Sequence, residues 1–233
     1  MMPGFWTNFS DSDAGNWDWD RDLQQVQMLR KAKERDANVF ELFSNSPMWW
    51  MCHTKCPAGS LSGIKDNLMK QHRKDFVHYL ISIAMHAKTN WDIEFKYIAP
   101  FNEPSSTWWK MSNNQEGCHF EHGSQSQLVK ELNEMITHKL RYEVATEASS
   151  EALLRSLEIA ASDENEYDQA IDTWDSLEDA ARNLISKINV HGYQEGSGER
   201  HVLHQKASAS GKKLWNSEYG DEDATGLSLA KNL

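Results

Sequence analysis

Apolar positions along this chain recur with two periods that take turns. Over 20–35, Leu23, Val26 and Leu29 return three apart among charged residues, which predicts a surface helix. At 38–43 the period is lost in a short apolar-rich run, Asn-Val-Phe-Glu-Leu-Phe, that reads as a buried strand, and 44–51 follows as a loop of polar and aromatic groups. Helical spacing returns over 66–88, with Leu68, Phe76, Tyr79, Leu80, Ile83 and Ala84 on one side. The same alternation predicts strands at 95–101, 157–161, 188–193 with its outlet, and 212–216, and helices at 128–140 and 168–184. Between 141 and 156 the signal is weak, with Glu143, Glu147 and Glu151 four apart as on a solvated helix face, and 227–233 reads as the start of a further helix.

Five strands alternating with helices predict an α/β protein with a parallel sheet, open or closed into a (β/α)8 TIM barrel. The polar and aromatic residues gather after the strands' C-terminal ends, the face that carries the site in a barrel. A barrel needs eight strands and typically about 250 residues; this pattern supplies five and begins and ends in mid-pattern. With no repeat, low-complexity stretch or linker in view, 1–233 reads as one partial catalytic barrel domain without a second domain.

Charge and composition narrow the partners. Twenty-four Lys and Arg against 35 Asp and Glu leave a net charge of −11, which argues against nucleic acid or an anionic membrane as partner. No apolar run reaches the roughly 20 residues of a membrane span, and the first residues carry no visible secretory signal. Ten tryptophans fit a folded protein and suit a carbohydrate site, since a sugar ring can lie on an indole face, although packing accounts for many of them. Of three cysteines, Cys52 and Cys118 each follow a strand end and could pair on that face, leaving Cys56 a thiol; the alternative leaves all three reduced. A zinc site built from them with His53 or His119 has irregular ligand spacing, and no carboxylate completes a set around His201 and His204. No metal and no cofactor is expected.

The chemistry rests on two glutamates. Glu103, in Phe101-Asn102-Glu103-Pro104, and Glu218, in Trp215-Asn216-Ser217-Glu218-Tyr219, each end a predicted strand beside an asparagine and near tryptophans. Such a pair is what glycosidic cleavage with retention requires, one carboxyl as acid/base and one as nucleophile. Glu103 is expected to rest neutral, helped by Phe101 and by the charge of Glu218. Tyr193 is the candidate donor to Glu218, and Asn102 the contact to a sugar 2-hydroxyl. Trp49, Trp50, Trp108 and Trp109 lie in outlets of the same face, one of each pair free for a sugar. His191 either orients a carboxylate or contacts substrate, or is a core histidine; Asp163 and Glu164 are rim contacts or solvated loop; Glu41 needs a partner inside the barrel.

Five segments carry a resemblance: 41–52 (Glu-Leu-Phe-Ser-Asn-Ser-Pro-Met-Trp-Trp-Met-Cys), 100–106 (Pro-Phe-Asn-Glu-Pro-Ser-Ser), 115–120 (Gln-Glu-Gly-Cys-His-Phe), 190–194 (Val-His-Gly-Tyr-Gln) and 214–221 (Leu-Trp-Asn-Ser-Glu-Tyr-Gly-Asp). Together they resemble the fungal-type endo-β-1,6-galactanases of glycoside hydrolase family 30. The resemblance implies that Glu103 follows strand four as acid/base and Glu218 follows strand seven as nucleophile, so that the strands near 39, 157 and 188 are three, five and six. Strands one, two and eight and the family's β-sandwich would then lie outside this sequence. Family members are generally secreted, and the absent leader then fits an N-terminally truncated sequence. The implied function is retaining endo-hydrolysis of β-1,6-galactan, a polysaccharide partner; β-1,6-glucan or β-xylan, or a non-catalytic carbohydrate-binding remnant, are the alternatives.

Overall fold

The computed structural model describes residues 4–7, 16–142, 154–194 and 196–220. Its five strands, β1 Glu41–Phe43, β2 Tyr97–Ala99, β3 Glu158–Glu164, β4 Ile185–His191 and β5 Lys213–Glu218, join in chain order in one sheet, and every pairing is parallel. Parallel neighbours require crossovers, and helices supply them: α2 Arg73–His86, α3 His122–Tyr142, α4 Tyr167–Ser176 with α5 Asp179–Leu184, and α6 Arg200–Ala209, while α1 Leu23–Lys33 precedes β1. No helix among the described residues is long and apolar enough to cross a membrane. The expected helix at 227–233 and the Glu143, Glu147 and Glu151 face lie outside the described residues.

Alternation on β4 sorts the two faces of the sheet. Ile188 and Val190 join the main apolar core with Phe76, Leu80 and Ile81 of α2 and Leu128 and Leu132 of α3, whereas Lys187, Asn189 and His191 are equally buried on the opposite face. On that inner face the Lys187 ammonium pairs with Glu41 of β1, whose Oε1 accepts from Asn189 Nδ2 at 2.7 Å. Lys213 Nζ of β5 reaches the Tyr97 hydroxyl of β2 at 2.9 Å. Strands three apart would stand about 14 Å from each other in a flat sheet, so these contacts exist because the sheet curls. Glu41 thus has the interior partner its position demanded. At the rims of the curl, β1 and β5 each pair with one neighbour only among the described residues.

Two predicted helices are redrawn by side chains that the periodicity could not weigh. The helix expected over 66–88 becomes α2 from Arg73, because the preceding residues anchor elsewhere: Asn67 takes the Thr54 N–H (3.2 Å) and donates to the Cys56 carbonyl (2.9 Å), and Leu68 bridges Cys52. The helix expected over 168–184 splits at Leu177, which is extended and buried; the Glu178 N–H is taken by Ser126 of α3 (3.0 Å), and Arg182 binds the freed carbonyls of Trp174 and Leu177 at 2.9 and 2.7 Å. α3 begins earlier than the expected 128, and β3 extends through Asp163 and Glu164, which are therefore strand rather than loop.

Candidate functional site

Glu103 and Asp163, both non-glycine residues, adopt left-handed backbone with φ of 47° and 58°. Each such residue costs on the order of 1 kcal/mol or more, and the two are tied together, the Glu103 N–H donating to the Asp163 carbonyl at 2.7 Å. The turn after β2 is held from the other side by Trp109, whose indole N–H donates to the Glu103 carbonyl at 2.9 Å. Trp109 lies flat on Gly117, where a Cβ would meet its ring at 2.0 Å, so only glycine admits it.

Register shifts aim the remaining groups. Between Ser162 and Glu164, β3 carries one residue more than β4, which turns Asp163 to the inner face and Glu164 to the helix side. Asp163 accepts from Asn189 (2.9 Å) and from Ser217. A second shift pairs His191 with Glu218 rather than with Ser217, so both Ser217 and Glu218 reach inward from the end of β5.

One carboxylate oxygen of Glu103, one of Glu218 and a ring nitrogen of His191 all lie within 4.8 Å of one another. Glu103, with its side chain 9% exposed, accepts from Asn165 Nδ2 (2.6 Å) and faces His191 Nδ1 (3.2 Å) through Oε1, and accepts from Trp108 Nε1 (3.2 Å) through Oε2. Glu218, 45% exposed, accepts the Tyr193 hydroxyl at 2.9 Å, the donor expected for it. His191 Nε2, fully buried, points toward Asp163 Oδ1 (3.7 Å) and Glu218 Oε2 (3.8 Å) without a hydrogen-bond partner among the described residues. Burial disfavours the imidazolium, but Asp163, Glu103 and Glu218 outweigh it and hold His191 up at about 9. Burial likewise raises the Glu103 carboxyl, yet the donors His191, Asn165 and Trp108 and the His191 charge prevail and bring it below the usual carboxylate range. A resting neutral Glu103, expected from Phe101 and Glu218, is thus replaced by a carboxylate facing an imidazolium. His191 and the two glutamates are also a possible ligand set for a cation, but three donors already occupy the Glu103 oxygens, so the set fits one poorly.

Other expected residues sort by burial. Trp108 is 42% exposed beside Glu103, while Trp109 is buried as packing. Trp50 is also packing, its N–H on the Trp6 carbonyl at 3.3 Å. Trp49 is exposed but lines a separate cavity of about 490 Å³ with Asn45, Met48 and Lys55, to which neither glutamate contributes. Asn102 is buried with its Oδ1 lacking a partner among the described residues. Asp163 and Glu164 are buried and bonded within the protein, not rim contacts, because the bulge in β3 turns the first to the inner face and the second into the helix layer. Cys52 and Cys118 are not joined: each is a buried thiol turned to a nearby backbone carbonyl, Met48 at 3.4 Å and His119 at 3.5 Å. Burial pushes the Cys52 thiol up to about 12. Asn165, Ser105 and Thr173 were not singled out from the sequence; the signal that points to Asn165 is its place after the polar end of a strand of small residues.

Two glutamates face each other at the C-terminal ends of parallel strands, one on a tyrosine and one on a histidine, and the class the fold defines is an α/β protein with a parallel, curled sheet. The model of O-glycosyl hydrolase family 30 matches residues 7–223, and the chain belongs to that family. It is 47% identical over 235 residues to an endo-beta-1,6-galactanase of Hypocrea rufa, covering 100% of this chain and 46% of that relative, so the chain spans about half the length of the curated relative it matches. Among solved structures it resembles the family 30 subfamily 8 xylanase Xyn30A of Clostridium acetobutylicum (TM-score 0.67, 16% identity, 92% of this chain and 48% of that one). It also resembles the catalytic domain of the family 30 xylanase C of Talaromyces cellulolyticus (TM-score 0.68, 17% identity, 94% and 46%). At these identities the two structures speak for the fold alone: the five strands form part of the barrel expected from the sequence.

Proposed function

We propose that the chain carries the catalytic pair of a retaining endo-glycosidase acting on β-1,6-linked galactan, with Glu218 as nucleophile and Glu103 as acid/base. The observation that carries this reading is that one oxygen of each carboxylate lies within 4.8 Å of one on the other. Retaining enzymes set their carboxyl groups about 5–5.5 Å apart, whereas inverting ones need about 6.5–9.5 Å to admit a water. The galactan preference rests on the 47% identical galactanase.

In this mechanism Glu218, oriented by Tyr193, attacks the anomeric carbon while Glu103 protonates the departing oxygen; Glu103 then takes a proton from the water that releases the sugar. The resting carboxylate–imidazolium pair of Glu103 and His191 holds the proton required. Entry of an uncharged sugar excludes water and disfavours that charge pair, and the proton moves from Nδ1 to the carboxylate, leaving His191 neutral. Trp108 offers an exposed indole next to Glu103.

The test is release of reducing sugar from debranched β-1,6-galactan by the chain, with Glu103→Gln and Glu218→Gln as controls and β-1,6-glucan and xylan as competing substrates. Activity abolished in both variants supports the pair; activity that survives either refutes it. The second reading, a carbohydrate-binding remnant, is favoured by β1 and β5 each pairing with one neighbour only among the described residues: a loss of register of about 1 Å costs about 100-fold in rate. It predicts galactan binding without release.

A further inference from the structure

Behind the candidate acid/base lies a second buried carboxyl that the mechanism does not use. Glu164 is fully buried on the helix side of β3. Its Oε1 accepts from Ser105 Oγ and Thr173 Oγ1, both at 2.7 Å, and its Oε2 accepts from the Ser105 backbone N–H at 3.2 Å. His122 Nε2 of α3 stands 3.2 Å from Ser105 Oγ and 3.4 Å from Thr173 Oγ1, and Gln125 Nε2 reaches the same Ser105 oxygen at 3.4 Å. These partners come from three places: the turn after β2, α4 and α3.

The placement relative to Glu103 is specific. Ser105 is two residues beyond Glu103, so Glu164 binds the far side of the strained turn that presents it. Asn165, which donates to Glu103 at 2.6 Å, is the next residue after Glu164, and Asp163, which accepts the Glu103 N–H, is the residue before it. Three successive residues therefore grip one turn: Asp163 by its carbonyl, Asn165 by its side chain, Glu164 through Ser105.

We propose that Glu164 is a positioning residue for Glu103, clamping the Asn102–Ser105 turn to the end of β3 so that the Glu103 carboxylate stays against His191 Nδ1. The charged and titratable groups around it fit that role. His122 faces the network from α3, and the imidazolium of His191 acts on Glu164 from β4. Burial raises Glu164 to about 7 despite Thr173, Ser105 and His191, so a hydrogen-bonded neutral acid is present over the acid-to-neutral range. A protonated glutamate is matched in shape by glutamine, whose oxygen can take the Ser105 and Thr173 hydroxyls as Oε1 does, and by no shorter residue.

This proposal deepens the catalytic reading of Glu103, but its test does not need turnover. The ring-proton resonance of His191 is followed by NMR between about pH 5 and pH 11 in the chain as it stands and in Glu164→Gln, Glu164→Ala and Ser105→Ala/Thr173→Val. Loss of the Glu164 charge acts on His191 equally in the Gln and Ala variants, so the difference between those two reports position alone. Glu164→Gln is expected to hold His191 about tenfold higher in proton affinity than Glu164→Ala, the worth of one charged hydrogen bond to Glu103. The Ser105→Ala/Thr173→Val variant, which keeps the carboxyl and removes its two hydroxyl donors, is expected to fall below the parent and decides the matter if Glu164→Ala does not fold. Coincident titration of the Gln and Ala variants, or of the hydroxyl variant and the parent, overturns the proposal. A parent that releases no sugar defeats the hydrolase reading and leaves this titration readable.

Discussion

Replacing Glu164 with glutamine gives a stability difference whose pH dependence follows from the structure. Folding carries this carboxyl from an ordinary 4.5 to about 7, because burial outweighs the hydroxyl donors and the His191 charge. Below pH 4.5 the folded and unfolded states both hold the proton. Between 4.5 and about 7 only the folded state holds it, so raising the pH favours unfolding; above about 7 the whole of that stabilisation is gone. At 1.36 kcal/mol per pH unit the loss comes to about 3 kcal/mol. Glutamine does not titrate, so the parent's stability minus that of Glu164→Gln should fall by this amount as the pH rises through the window, and then level off. Subtraction also removes the shared background of Glu103, His191 and the surface groups. Urea unfolding followed by tryptophan fluorescence reads it as a relative change in midpoint of about 1–3 M, for slopes of 1–3 kcal/mol per molar. A difference that stays flat or rises with pH would mean that Glu164 is ionised in the fold, and would refute the reasoning.

Four further outcomes are expected. Lys187→Met leaves Glu41 without its buried cation and should cost about 3–5 kcal/mol, most of it recovered by adding Glu41→Leu; a double variant no more stable than the single one would contradict the ion-pair account. Trp109→Ala, which empties the space over Gly117 and frees the Glu103 carbonyl, should destabilise the chain by about 3–5 kcal/mol in denaturant titration. Trp108→Ala should leave the unfolding midpoint nearly unchanged while weakening galactan binding by about 2–10-fold in calorimetry; the opposite assignment of the two tryptophans would show in the same pair of assays. Because β1 and β5 each pair with one neighbour only among the described residues, the chain should self-associate in light scattering, and a monodisperse, cooperatively melting monomer would argue against it.

Much of this protein is determined by local pattern. The change from helical spacing to short apolar runs marks all five strands, because a helix and a strand expose their side chains with different periods. Strand ends followed by polar and aromatic residues single out Glu103 and Glu218, and Tyr193 lies two residues beyond His191, close enough in the same outlet to serve Glu218. The pattern also shows that Glu41, polar within a buried run, needs a partner.

What that partner is could not be read locally. Lys187 reaches Glu41 only because the sheet curls until strands three apart touch, and Asn189 and His191 are inward only because of the register of β4. Leu177 interrupts a helical pattern because Ser126 and Arg182, distant in sequence, satisfy the backbone that the break exposes. The ionisation of Glu103 is hidden from the sequence for the same reason: Phe101 beside it is visible there, whereas Asn165, Trp108 and His191 surround it only in space. Asp163 and Glu164 show the limit most clearly. Adjacent acids at the end of a strand read as a solvated rim, and one bulge sends the first to the inner face and the second into the helix layer, a choice made by pairing with β4 and by the hydroxyls of Ser105 and Thr173. Periodicity is a property of neighbouring residues, whereas hydrogen-bond partners and charge are decided by which segments tertiary packing brings together.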